Sequence, residues 1–145
     1  MNAGASKFNI EAPGGWEKLD TSINGVKFTF LLAPVGSSGF RANMNVISQS
    51  MEGSSLDAYF DKNITSMDQY LQNFTAGKKG DKVINGLPAK WIFYSHTQNN
   101  HVLDGMFYMI AKDGIAYVIT FASTKGQVSK YQGAIDAAIN SFRVN

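Results

Sequence analysis

Residues Asn85–Ala122 read NGLPAKWIFYSHTQNNHVLDGMFYMIAKDGIAYVITFA, and this stretch decides the fold. Asp113-Gly114 is its clearest turn, because these two residue types tolerate the positive φ that a type I′ hairpin turn needs at both central positions. Asn85-Gly86 is a second such pair, and Gln98-Asn99 can close the hairpin between them. The runs separating the turns are rich in aromatic and β-branched residues. They read as three consecutive antiparallel strands, and the turns set their register: Trp91 falls opposite Met106, and Met106 opposite Phe121. One face then collects Trp91, Phe93, Met106, Tyr108, Ile110, Tyr117, Ile119 and Phe121. The other collects Ile92, Tyr94, Leu103, Phe107, Met109 and Val118. A sheet that is apolar on both faces must be covered on both.

Working outward, Ser54 reads as an N-cap with Asp57 three residues on. Leu56, Phe60, Ile64, Met67, Leu71 and Phe74 recur at helical spacing, which predicts an amphipathic helix over Ser55–Asn73. Thr75–Asp81, TAGKKGD, reads as a polar loop, and a strand begins at Lys82–Ile84. At the other end, a helix from Ser123 or Thr124 carries the stripe Val128, Tyr131, Ile135, Ala138, Ile139 and Phe142. Further upstream, Phe40–Ser48 has period 2, with Phe40, Ala42, Met44 and Val46 inward. The loop Ala33–Gly39 precedes it. Asn24-Gly25 is a hairpin turn leading into a strand whose apolar face is Val26, Phe28, Phe30 and Leu32. Lys7–Ala12 reads as a short edge strand stopped by Pro13-Gly14-Gly15, with Trp16 capping one end of the core.

A chain of 145 residues carries one domain, here residues 7–145 behind a flexible tail at 1–6. With 44% hydrophobic and 17% charged residues it is globular. A net charge of +2 with scattered basic residues leaves no nucleic-acid footprint. No apolar run approaches the ~20 residues that span a bilayer. Cysteine is absent, which excludes disulfides, thiol catalysis and thiolate metal sites. The start, MNAGASKFNIEAP, has no signal-peptide pattern and resembles a linker behind an initiator Met.

Few residues suggest chemistry. His96 and His101 fall opposite each other across the Gln98-Asn99 turn, close enough to share a metal. Asp104 points to the other face, so they read as solvated histidines at a hairpin tip, and no metal is expected. Gly77, Lys78, Lys79, Gly80 and Lys82 imitate a phosphate loop but lead into a strand with no Ser/Thr after the lysine. Asp57 and Asp61 share an exposed helix face, where they favour the helix dipole. Gly36-Ser37-Ser38-Gly39 is not a nucleophile elbow. The expectation is no enzyme and no cofactor. The aromatic residues Trp16, Trp91, Phe93, Tyr94, Phe107, Tyr108 and Tyr117 could line an apolar pocket, and an apolar ligand or partner site is expected at Trp16, Trp91, Tyr94, Phe107 and Tyr117.

The order of elements, with Pro13-Gly14-Gly15-Trp16, Asn85-Gly86-Leu87-Pro88-Ala89-Lys90-Trp91, Gly114-Ile115-Ala116-Tyr117-Val118-Ile119-Thr120 and Ile139-Asn140-Ser141-Phe142, resembles the PsbP-like superfamily. That group includes PsbP of photosystem II and DcrB-type bacterial lipoproteins. The resemblance implies an α+β fold in which a single antiparallel sheet is flanked by helices, an α/β/α sandwich. It also implies a non-enzymatic binding, assembly or stabilising factor with a protein partner. Such a factor belongs in the periplasm or cell envelope, held by a lipid anchor encoded upstream of Asn2. The alternative within the family is a cytoplasmic type VI secretion chaperone that shields apolar segments of its partner. A small-molecule or metal-binding domain is the third reading. The chain lacks the long N-terminal extension of the photosynthetic protein, which argues against a photosystem role.

Overall fold

The computed structural model describes residues 8–23, 26–34 and 41–144. The expected tail at 1–6, the Asn24-Gly25 turn, Phe40 and most of the Ala33–Gly39 loop lie outside them. One antiparallel sheet dominates. Strands β2 (Glu17–Ile23), β3 (Val26–Leu32) and β4 (Asn43–Ser50) form a meander. Helix α1 (Leu56–Tyr70) then carries the chain to the far edge, where β5 (Gln72–Ile84) begins a second meander through β6 (Leu87–Gln98), β7 (His101–Lys112) and β8 (Ile115–Thr124). β8 closes against β4, so the spatial order is β2-β3-β4-β8-β7-β6-β5. Helix α2 (Val128–Ser141) follows, and β9 (Arg143–Val144) pairs with β1 (Phe8–Asn9).

The meander at the centre is the one expected, and its turns show why. Asn85-Gly86 (φ 49° and 81°) and Asp113-Gly114 (φ 52° and 78°) have positive φ at both positions, the type I′ signature. The middle hairpin differs by one position. It turns at Asn99-Asn100 (φ 50° and 67°), because asparagine tolerates the left-handed region and glutamine does not. Trp91 therefore pairs with Tyr108 instead of Met106, while Met106 pairs with Phe121 as expected. The slip moves each partner by two residues, so every side chain keeps its face.

Both faces are covered, by different helices. Ile84, Ala89, Met106, Tyr108, Ile110, Tyr117, Ile119 and Phe121 form one core with Val128, Ile135, Ala138 and Ile139 of α2 and with Phe8, Ile10 and Phe142. Ile92, Tyr94, Phe107, Met109, Ala116 and Val118 form the other with Phe60 of α1, and Leu56, Ile64 and Met67 pack against it. The architecture is α+β, a single antiparallel sheet between two helical layers.

Five local expectations need correction. The N-cap of α1 is Ser55, whose Oγ accepts from the Ala58 N–H at 3.1 Å, and the helix ends at Tyr70. Leu71 and Phe74 leave the helix yet stay on the same core. Thr75–Asp81 is strand, the middle of the 13-residue β5. An edge strand needs no apolar alternation, and lysines and bulges are how edges resist further pairing. Among the described side chains of β3, those of residues 28–32, the buried ones are Thr29 and Leu31, and Phe28 and Phe30 are only half-buried. The alternation favours the face of Val26, Phe28, Phe30 and Leu32 over that of Lys27, Thr29 and Leu31. The ladder decided otherwise, since Leu31 pairs with Met44 and Met44 with Phe121 on the α2 side. Lastly, β8 runs to Thr124 and α2 starts at Val128. Gly126 (φ 82°) makes the bend, and Asp104 Oδ2 accepts its N–H at 2.8 Å. Of the expected Lys7–Ala12 strand, Lys7 lies outside the described residues and Phe8–Asn9 forms β1, which pairs with β9 and not with the main sheet.

Candidate ligand-binding groove

The two helices leave opposite ends of the sheet thinly covered. On the α1 face, the buried core draws no residue from β2 or β3 among the described side chains. Leu19 is 46% exposed there, and the half-buried rings of Phe28 and Phe30 stack at 6.3 Å. On the α2 face, the helix lies over the middle strands and stops short of the β5 edge. A groove of about 670 Å³ opens between them, within the size range of small-molecule sites.

The groove is built by cross-strand geometry. Its floor is Trp91 and Phe93 of β6 with Met106 and Tyr108 of β7. Trp91 and Phe93 are half-buried, while Met106 and Tyr108 are buried. Val128, Gln132 and Asp136 of α2 form one wall, spaced at helical repeats, and Gly77, Lys78 and Lys82 of β5 form the other. The two glycines on this part of β5 are there because the rings lean over them. A Cβ on Gly77 would lie 2.8 Å from Phe93 Cδ1 and 2.9 Å from the Phe93 carbonyl oxygen. One on Gly80 would lie 3.1 Å from Trp91 Nε1. The register shifts between Ala76 and Lys79, so Gly77 and Lys78 together oppose Phe93 in a bulge.

Charge is divided between the walls. The side chains of Lys78 and Lys82 are exposed and make no hydrogen bond or ion pair among the described residues. Across the groove, the Asp136 carboxylate accepts from Gln132 Nε2 at 3.0 Å. Burial, with Asp136 nearby, pushes the Tyr108 hydroxyl up to about 12, so it stays protonated and can donate a hydrogen bond.

On the opposite face, Lys90 pairs with Asp81 at 2.6 Å and Asp57 at 2.9 Å, and its ammonium lies 5.8 Å from the centre of the Phe60 ring. Hydrogen bonds to Asp81 and Asp57 push it up to about 12. This cluster fastens the start of α1 to the sheet, so Asp57 acts as an ion-pair partner as well as a helix-dipole residue.

The five aromatic residues expected to form a site are dispersed. Trp91 lines the groove. Trp16 packs edge-on to Tyr131 at 6.0 Å and near Phe121, elsewhere on the same face. Tyr117 is buried between Phe8 and Phe142. Tyr94 and Phe107 belong to the α1 core, Tyr94 against Phe74 and His96, and Phe107 against Phe60. Phe93, Met106 and Tyr108, which share the open floor with Trp91, already stand on its face in the sequence. Their position near the uncovered edge is what singles them out. The histidines are not directly opposed: His96 pairs with Leu103 and His101 with Gln98. His96 is buried, its Nδ1 making no hydrogen bond among the described residues, and His101 is exposed. Among the described residues, no group of three or more His, Cys, Asp or Glu side chains could hold a metal ion. None of their helices is long and apolar enough to cross a membrane.

No family model matches the sequence, and no curated protein matches it. The fold has solved counterparts. LpqN, involved in cell envelope biogenesis of Mycobacterium tuberculosis, superposes with a TM-score of 0.74 at 10% identity, over 99% of this chain and 86% of LpqN. PA94, a protein of unknown function from Pseudomonas aeruginosa, gives 0.71 at 13% identity, over 86% of this chain and 94% of PA94. Cyanobacterial PsbP from Synechocystis sp. PCC 6803 gives 0.62 at 12% identity, over 100% of this chain and 95% of that protein. At such identities the likeness speaks for architecture, and it agrees with the order of elements and the covered sheet: this chain has the PsbP-like fold.

Proposed function

We propose that this chain is a non-enzymatic binding protein of the cell envelope that takes up an apolar group in the groove between β5 and α2. The observation that carries the reading is the open aromatic floor. Trp91 and Phe93 remain half-exposed beside the buried Met106 and Tyr108, in a concave site of ligand size. The lining offers apolar contact and fixed charge, and Tyr108, held protonated, is a poor general base. The envelope location draws support from LpqN, whose own role is in envelope biogenesis. Titration with the neutral dye Nile red tests the reading. Wild type should bind with a blue-shifted emission, and Gln132→Trp, which fills the groove from the helix wall, should abolish binding without lowering Tm. Equal binding by both proteins would remove the groove as the site. Recovery of the native gene product in the cytoplasmic fraction alone would refute the location.

A second reading, a chaperone that shelters an apolar segment of a protein partner, draws on the half-covered β2–β3 surface at Leu19, Phe28 and Phe30. An interface there would make Phe30→Ser lose the partner while keeping Nile red binding. Loss of both, or of neither, would argue against it.

A further inference from the structure

Resting on the groove as the binding site, we propose that its ligand is a single-chain anionic amphiphile, an acyl chain ending in a carboxylate or phosphate, with the head at the β5 rim. The walls differ in a way that orients such a molecule. Lys78 and Lys82 stand on the β5 side with no anionic partner among the described residues. In contrast, Lys90, in the fourth strand pair from the nearer hairpin turn and on the other face, is doubly paired. The bulge that sets Gly77 and Lys78 together against Phe93 brings a lysine to the mouth of the groove, and bulges often re-aim side chains at sites. The α2 wall carries Asp136, which repels an anion and already has Gln132 as a donor. An anionic head is therefore drawn to β5 and turned away from α2, while the chain lies on Trp91, Phe93 and Met106 toward Val128. Strand addition by a peptide at the β5 edge is disfavoured by the same features. Two register shifts within β5 interrupt its ladder, and exposed lysines are a device against edge pairing.

The test compares ligands of one chain length, decanoate, 1-decanol and decyltrimethylammonium, all below micelle formation, by calorimetry on the full chain. Decanoate is expected to bind about tenfold tighter than decanol, equivalent to about 1.4 kcal/mol, with the cation weakest. The preference should shrink as salt rises. Lys78→Gln/Lys82→Gln, both at exposed positions, should bring decanoate to the level of decanol. Equal affinity for all three ligands, lost in Gln132→Trp, would overturn the anionic ligand while sparing the groove. Binding of none would overturn both readings. Co-sedimentation with phosphatidylglycerol vesicles but no response to monomeric decanoate would assign the lysines to a membrane surface and overturn the proposal.

Discussion

Asp104 is where removing one side chain should tell most about how the groove is held. It is buried on β7, 6% exposed, yet no cation pairs with it among the described residues. Its Oδ1 accepts from Ser95 Oγ at 2.7 Å and its Oδ2 from the Gly126 N–H at 2.8 Å. One carboxylate thus ties β6 to β7 and both to the bend that launches α2, whose first residue, Val128, walls the groove. Hydrogen bonds to charged groups contribute about 1.5–3 kcal/mol each. Asp104→Ala removes two, but Gly126 is exposed and its N–H can turn to water, so the expected loss is about 3 kcal/mol. For a chain of this length that is roughly 6–12 °C in Tm. Asp104→Asn keeps the volume. Its amide oxygen can accept from Gly126 and its amino group can donate to Ser95 Oγ, for an expected loss of about 1 kcal/mol. Urea unfolding followed by far-UV circular dichroism gives both values, and amide exchange at Gly126 should quicken in the alanine variant. A loss below about 1 kcal/mol for Asp104→Ala would refute the reasoning, because two bonds to a buried carboxylate cannot be so cheap.

Phe60 is the fully buried anchor of α1, 1% exposed and 6.0 Å from Phe107. Phe60→Ala should cost about 3–5 kcal/mol by chemical denaturation, and a loss under about 1 kcal/mol would mean that α1 is held by other contacts. Burial holds the His96 imidazole below its ordinary value of 6.5. The unfolded chain therefore takes up the proton first, and stability is full above pH 6.5 and falls as the pH drops below it. Urea midpoints between pH 7 and pH 5 should show this slope, and His96→Asn should flatten it. Gly77→Ala should cost about 1–3 kcal/mol, because its Cβ meets the Phe93 ring and backbone. Gly133→Ala, on α2 with nothing within 4 Å, should instead raise stability by up to about 1 kcal/mol, so the pair of Tm values checks both.

Periodicity and turn chemistry made much of the fold legible. The faces of the central meander depend on residue parity, which survives a turn displaced by one position, so both were read correctly despite the shift to Asn99-Asn100. The stripes of the two helices were equally clear, even where the chain leaves the helix before Leu71 and Phe74, since those residues still reach the α1 core. Local pattern failed where partners decide. Thr75–Asp81 looks like a loop because its glycines and lysines carry no strand signal, yet Phe93 and Trp91 on the next strand fill the space over Gly77 and Gly80. The alternation in β3 favours the face of Phe28 and Phe30, and only its ladder to Met44 puts Leu31 in the core.

The sequence by itself determined a sheet apolar on both sides and a helix stripe for each, because hydrophobic period and type I′ turns are local properties of the chain. Only the tertiary structure decided how far each helix reaches. That reach is set by where the Asp57–Lys90 ion pair fastens α1 and where Asp104 holds the Gly126 bend that starts α2, and these are contacts between residues far apart in sequence. The same long-range packing leaves Trp91 on an open floor and Tyr94, Phe107 and Tyr117 in closed cores. Identical aromatic character was visible in all four; whether a layer lies over each could only be settled by folding.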